Sequence, residues 1–188
     1  KPDPAPSRSW CHPQKLSDGR ILVKSGVEVC NAWDGQGDQS QNYSNVFRRP
    51  VTGFLELANG RILSWSSDGS LRIWESLTGK RKLFSRVNIG YTIFEAVELS
   101  SGHILCWGDN HALVIWGLGT EIRSLHGHSG RINGVHELAD GRIVSWSDDG
   151  SLRLWNLQDI SSHVELTGHA DKVKGVCELA DGRIVSWS

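Results

Sequence analysis

His128, Ser145, Ser147 and Asp149 carry the three side-chain types of a nucleophilic triad: a hydroxyl, an imidazole and a carboxylate. Such a triad also needs an accessible nucleophile and donors for an oxyanion. Neither a pocket nor oxyanion donors can be read around these serines, and both lie in an apolar run that is expected to be buried, so a hydrolase is rejected. His126-Gly127-His128 and the local group His103, Cys106 and His111 could be drawn as metal ligands. Neither has the spacing of a zinc signature, and the four cysteines form no CxxC pair. No metal and no other cofactor is expected, and the chain is not expected to be an enzyme.

The elements that position these residues are repeats, and repeats decide the fold before any single residue does. Gly19, Gly60, Gly102, Gly141 and Gly182 mark equivalent turns, at intervals of 41, 42, 39 and 41 residues. Around them the second repeat reads ELANGRILSWSSDGSLRIW from Glu56 and the fourth reads ELADGRIVSWSDDGSLRLW from Glu137. The third, from Glu98, is a drifted copy; a fifth begins at Glu178; the first, Ser17 to Asp34, is the most degenerate. Short β-like runs alternate with turn signals and no helical period is sustained. In the fourth copy the strands are expected at Ile132–Leu138, Arg142–Ser147, Ser151–Leu157 and His163–Leu166. Asp140-Gly141 reads as a two-residue hairpin and Asp148-Asp149-Gly150 as a three-residue loop. Ile143, Val144, Trp146, Leu152, Leu154 and Trp155 make these strands apolar on both sides, as stacked sheets require.

With its Gly-His pairs, Gly127-His128 and Gly168-His169, and its repeat-final tryptophans, the chain resembles the WD-repeat (Trp-Asp) β-propeller family from about Lys15 to Ser188. The implied fold is all-β, with blades of four antiparallel strands: four blades plus a partial fifth, forming an incomplete, open propeller. The resemblance also implies a buried hydrogen-bond network in each complete blade. In the fourth copy its members would be His128, Ser145 or Ser147, Asp149 and Trp155. The second copy has Ser64, Asp68 and Trp74, with Phe47 in the histidine's place. The third has Cys106, Asn110 and Trp116, and the first keeps little beyond Trp33.

The 20 basic and 21 acidic residues leave a formal charge of -1 without long like-charge blocks, which argues against nucleic acid and anionic membrane as partners. Residues 1–14 hold four of the five prolines and read as a linker or arm in which Trp10 could anchor; residues 15–188 form the repeat segment. The expected function is a non-catalytic scaffold for other proteins or domains, within a larger multidomain protein inside the cell. Self-association through exposed blade faces is a further expectation. Arg131, Asn133 and Lys172, at the loops entering first strands, are the partner-binding candidates. One alternative is a recruitment module for an enzyme whose catalytic domain lies outside this chain. Another is a carbohydrate- or small-molecule-binding propeller that uses Trp65, Trp107, Trp146 and Trp187 as stacking surfaces, and it requires those rings to be exposed. Finally, Glu56, Glu98, Glu137 and Glu178 each precede one of these tryptophans by nine residues, and a two-residue turn would set each pair on one sheet face. Carboxylate-to-indole hydrogen bonds are the expectation there.

Overall fold

Apolar runs of four to six residues, separated by glycine-bearing turns, have one economical solution: each repeat folds back on itself as an antiparallel sheet. The computed structural model describes residues 14–17, 19, 21–25, 29–33, 39–42, 49–75, 83–117 and 121–188, and every regular element among them is a strand. The first repeat supplies β1 (Gln14–Lys15), β2 (Ile21–Ser25), β3 (Val29–Trp33) and β4 (Gln39–Asn42). The second supplies β5 (Val51–Glu56), β6 (Ile62–Ser66), β7 (Ser70–Trp74) and β8 (Leu83–Asn88). From the third come β9 (Ile93–Glu98), β10 (Ile104–Gly108), β11 (Leu113–Trp116) and β12 (Ile122–Leu125). The fourth gives β13 (Ile132–Glu137), β14 (Ile143–Ser147), β15 (Leu152–Asn156) and β16 (Asp159–Leu166), and the fifth β17 (Gly175–Glu178) and β18 (Ile184–Trp187). Each of the first four repeats is a four-stranded sheet with its strands side by side in chain order. The residues of the Pro-rich arm before Gln14, Trp10 among them, and Phe47 lie outside the described residues.

The strands divide between two compact units. One comprises Arg8–Cys106 with Trp116–Glu121; within it β6 and β7 are buried at every position, whereas the outer strand β8 alternates between half-buried and exposed. The other carries Trp107–Ile115 with Ile122–Ser188, and there Leu138, Val144, Trp146, Leu152 and Val173 form a core on which Leu154, Val176 and Ile184 pack. Inner strands apolar on both sides and outer strands with one wet side are what sheets stacked face to face demand.

The first hairpin of each repeat corrects the expected turn. In the fourth, Leu138 N–H donates to the Arg142 carbonyl and Gly141 N–H to the Leu138 carbonyl, each at 2.8 Å. The loop is therefore three residues long, Ala139-Asp140-Gly141, with Gly141 at φ +84°. A two-residue turn had been expected at Asp140-Gly141. Lengthening it by one residue pairs Glu137 with Ile143 and Gly134 with Trp146. A one-residue change of register moves a side chain to the other sheet face, so Glu137 and Trp146 face opposite ways. The two indoles accordingly do not bond to the glutamates: Trp65 Nε1 donates to the Phe94 carbonyl at 3.4 Å, and Trp146 Nε1 has no partner among the described residues.

Opposite three of the four second-strand tryptophans stands a glycine that no turn requires. Gly53 pairs with Trp65, Gly134 with Trp146 and Gly175 with Trp187. The indole lies flat over its glycine, and a Cβ on Gly134 would come within 2.8 Å of Trp146 Cε2. In the second and fourth repeats a β-bulge lies just before this pair, at Thr52 and Asn133. Trp65, Trp107 and Trp146 are 2%, 3% and 6% exposed, which overturns the reading of these three rings as a stacking surface; Trp187 is 49% exposed.

Candidate functional site

The fourth repeat assembles the expected network from four elements. His128 arrives on the segment before β13, Ser145 on β14, Asp149 in the β14–β15 loop and Trp155 on β15. His128 Nδ1 lies 2.8 Å from Asp149 Oδ2, and His128 Nε2 lies 2.8 Å from Ser145 Oγ. Trp155 Nε1 donates to that same Ser145 oxygen at 2.8 Å. The Asp149 carboxylate can only accept, so the imidazole proton sits on Nδ1 facing it, and in the neutral ring Nε2 is left to accept from the Ser145 hydroxyl, whose oxygen in turn accepts from the indole. Asp149 also accepts from the backbone of Ser129 and Ser151 and from the Ser151 hydroxyl. Burial works against its ionisation, but the hydrogen bonds from Ser151, His128 and Ser129 outweigh it and hold the carboxyl well below the usual range. Burial, partly offset by Asp149, pushes the His128 imidazole below its ordinary value.

These are the distances of a nucleophilic triad, yet the chemistry is closed. Ser145 has no exposed surface, and its oxygen already accepts the indole hydrogen. A nucleophile needs that lone pair and a path for substrate. Of the two candidate serines, Ser145 joins the network; the Ser147 hydroxyl accepts instead from Asp149 N–H at 3.1 Å. The second repeat keeps half the arrangement, with Trp74 Nε1 donating to Ser64 Oγ at 2.8 Å and Asp68 accepting from Ser70 N–H. In the third, Cys106 is buried and desolvation pushes its thiol up to about 12, while Asn110 accepts from Ala112 N–H. His169 Nε2 and Ser186 Oγ, 2.7 Å apart, repeat the histidine–serine contact in the fifth.

Sequence reasoning missed two members. Arg153, 8% exposed on β15, hydrogen-bonds to His163 Nε2 and pairs with Glu165 at 3.1 Å, and the His163 ring lies 4.6 Å from that of Trp155. The signal was present as the arginine shared by SLRIW and SLRLW, Arg72 and Arg153, which interrupts an otherwise apolar strand.

The three partner-binding candidates converge on one residue, Asp148, two of them on its carboxylate and Arg131 on its backbone amide. Asn133 Nδ2 donates to Asp148 Oδ1 at 2.8 Å and to the Val173 carbonyl at 3.1 Å. Lys172 Nζ lies 3.4 Å from Asp148 Oδ2, and the Arg131 carbonyl accepts from Asp148 N–H at 2.8 Å. The hydrogen bond from Asn133, opposed by desolvation and aided by Lys172 and the Arg131 charge, holds Asp148 below the usual carboxylate range. Asn133 is half-buried and ties β13 to the start of the next repeat; Arg131 and Lys172 are exposed at the rim.

The model for "WD domain, G-beta repeat" matches residues 119–156, the repeat that holds the full network. Apoptotic protease-activating factor 1 of Rattus norvegicus is 31% identical over 70 residues, which is 37% of this chain and 6% of that protein. The Mus musculus protein of the same name is 34% identical over 71 residues, again 37% of this chain and 6% of its own length. The chain thus spans a small part of the curated relatives it matches. The crystal structure of the WD40 beta propeller domain of Doa1 superposes with a TM-score of 0.65 at 19% identity, covering 91% of this chain and 58% of that one. At that identity the likeness is one of fold.

Proposed function

We propose that this chain, whose residues 119–156 match the WD-repeat model and whose fold is that of β-propeller blades, a kind that generally serves as a protein-interaction scaffold, is a non-catalytic docking segment of a larger intracellular protein. The observation that carries the reading is the rim at Asp148. There Asn133 holds the carboxylate in place while Arg131 and Lys172 stay exposed beside it. Fixed charges on a rigid scaffold suit recognition of a carboxylate-bearing segment of another protein, since they need little ordering on binding. The small share of the relatives' length supports placement within a longer, multidomain protein.

The test is peptide display against the 188-residue chain, with recovered peptides measured on the Arg131→Glu/Lys172→Glu double variant. Acidic peptides should be enriched and should bind the variant at least about tenfold more weakly under conditions where circular dichroism shows both proteins folded. Equal binding to both proteins refutes the rim as a docking site.

A further inference from the structure

Glu56, Glu98 and Glu178 reach beyond their own sheets to the hairpin of the repeat before. Glu56 Oε2 accepts from Ser17 N–H at 2.8 Å and its Oε1 from the Ser17 hydroxyl at 2.6 Å. Glu98 Oε2 accepts from Ala58 N–H at 2.7 Å, and Glu178 Oε2 accepts from Ala139 N–H at 3.0 Å. The donors share one address, the residue after a buried leucine: Leu16, Leu57 or Leu138. In the hairpin that follows Leu138, the Leu138 and Gly141 amides serve the turn itself. The Ala139 amide points out of it and finds its acceptor on the next repeat. The acceptors share an address as well. Glu56 pairs with Ile62 and Glu178 with Ile184, the last pair before the turn. His136 Nε2 adds a cationic neighbour when protonated, 3.9 Å from Glu178 Oε2.

We propose that this glutamate is a latch through which one blade recognises the next. The surface offered is an outward turn amide beside a buried leucine; the partner that fits is a first strand carrying a carboxylate at its last paired position. A carboxylate bonded to a backbone amide is charge-assisted, so it rewards the correct neighbour and register more than a neutral contact would. Lys15 holds the same position in the first repeat, paired with Ile21. An ammonium has no lone pair to offer an N–H donor. The first blade can therefore receive a latch, at Ser17, and cannot give one.

Proline substitution isolates the donor, because the residue after the leucine is the first central position of the turn, where proline's φ is suited. Ala139→Pro removes the latched amide. Ala180→Pro makes the same change in the turn from Leu179 to Gly182, whose Ala180 amide has no acceptor among the described residues. Ala139→Pro should raise the unfolding equilibrium constant about tenfold and Ala180→Pro should not. Glu178→Ala should speed hydrogen exchange of the Ala139 amide by about the same factor, and adding it to Ala139→Pro should cost nothing more. If Ala139→Pro is tolerated as well as Ala180→Pro, or exchange at Ala139 ignores Glu178→Ala, the latch is wrong. Should Ala139→Pro fail to fold, the exchange measurement on Glu178→Ala decides alone.

Discussion

Replacing Trp155 by phenylalanine removes one hydrogen-bond donor from the fourth blade and leaves an aromatic ring in its place. Trp155 is 1% exposed and Ser145 is 0% exposed, so no water can take over the 2.8 Å bond between them. Ser145 keeps its own donation to His128 but loses what its oxygen accepted. An unsatisfied buried acceptor costs about 1 to 3 kcal/mol. The smaller ring adds about 1 kcal/mol for the space vacated and for weaker packing against His163. The expected loss is about 2 to 4 kcal/mol, read by urea unfolding followed through far-UV circular dichroism. The mechanism has a sharper signature than the total. Ser145→Ala removes the orphaned acceptor, so the Trp155→Phe/Ser145→Ala pair should be less destabilised than the sum of its members, by at least about 0.5 kcal/mol. Strict additivity, or a Trp155→Phe protein that melts like the parent, would refute the network as an energetic unit.

Two further outcomes follow from the same geometry. His111 stands where the second and fourth repeats have Gly69 and Gly150, and it alone among the described non-glycine residues has a positive φ, +57°. His111→Gly should relieve about 1 to 2 kcal/mol of backbone strain and return up to about 1 kcal/mol to unfolded-chain entropy, a net gain of roughly 0.5 to 1 kcal/mol visible as a higher melting temperature. The pH dependence has a definite sign. Folding depresses the proton affinity of both His128 and Asp149, the first through burial, the second through hydrogen bonds that outweigh burial. The unfolded chain therefore binds more protons, and stability should be level above roughly pH 6.5, decline below it as His128 responds, and decline again below about pH 4 through Asp149. Melting temperatures that rise between pH 7 and pH 5 would contradict this assignment.

The repeat period, the inner strands and the His128, Asp149 and Trp155 members of the network could be read in the sequence because each rests on a local residue type: a turn glycine, a run of apolar residues, a Gly-His pair or a repeat-final tryptophan. The fourth strand of the fourth repeat begins at Asp159, four residues before the expected His163. What failed was the length of a turn. Asp140-Gly141 suits a two-residue hairpin, and it equally ends a three-residue loop whose glycine takes the left-handed conformation. That single residue reverses which face Glu137 presents, and with it the proposed glutamate–tryptophan pairs. Ser145 and Ser147 could not be separated beforehand either, because residues two apart share a face and only the position of His128 along the strand selects between them. Neither the bulges at Thr52 and Asn133 nor the latch announces itself by residue type, since the first is a shift of register within a sheet and the second joins one sheet to another.

The tryptophans laid over glycines also turn the second, fourth and fifth repeats into their own spectroscopic reporters. An aromatic ring stacked on a backbone carries a magnetic shielding cone, and the α-protons of Gly53, Gly134 and Gly175 lie beneath the rings of Trp65, Trp146 and Trp187. Their resonances should appear far upfield of ordinary glycine, one distinct signal for each of these sheets. A blade that opens lifts its indole and sends only its own signal home. The melting of the array can then be followed repeat by repeat, with nature having supplied the labels.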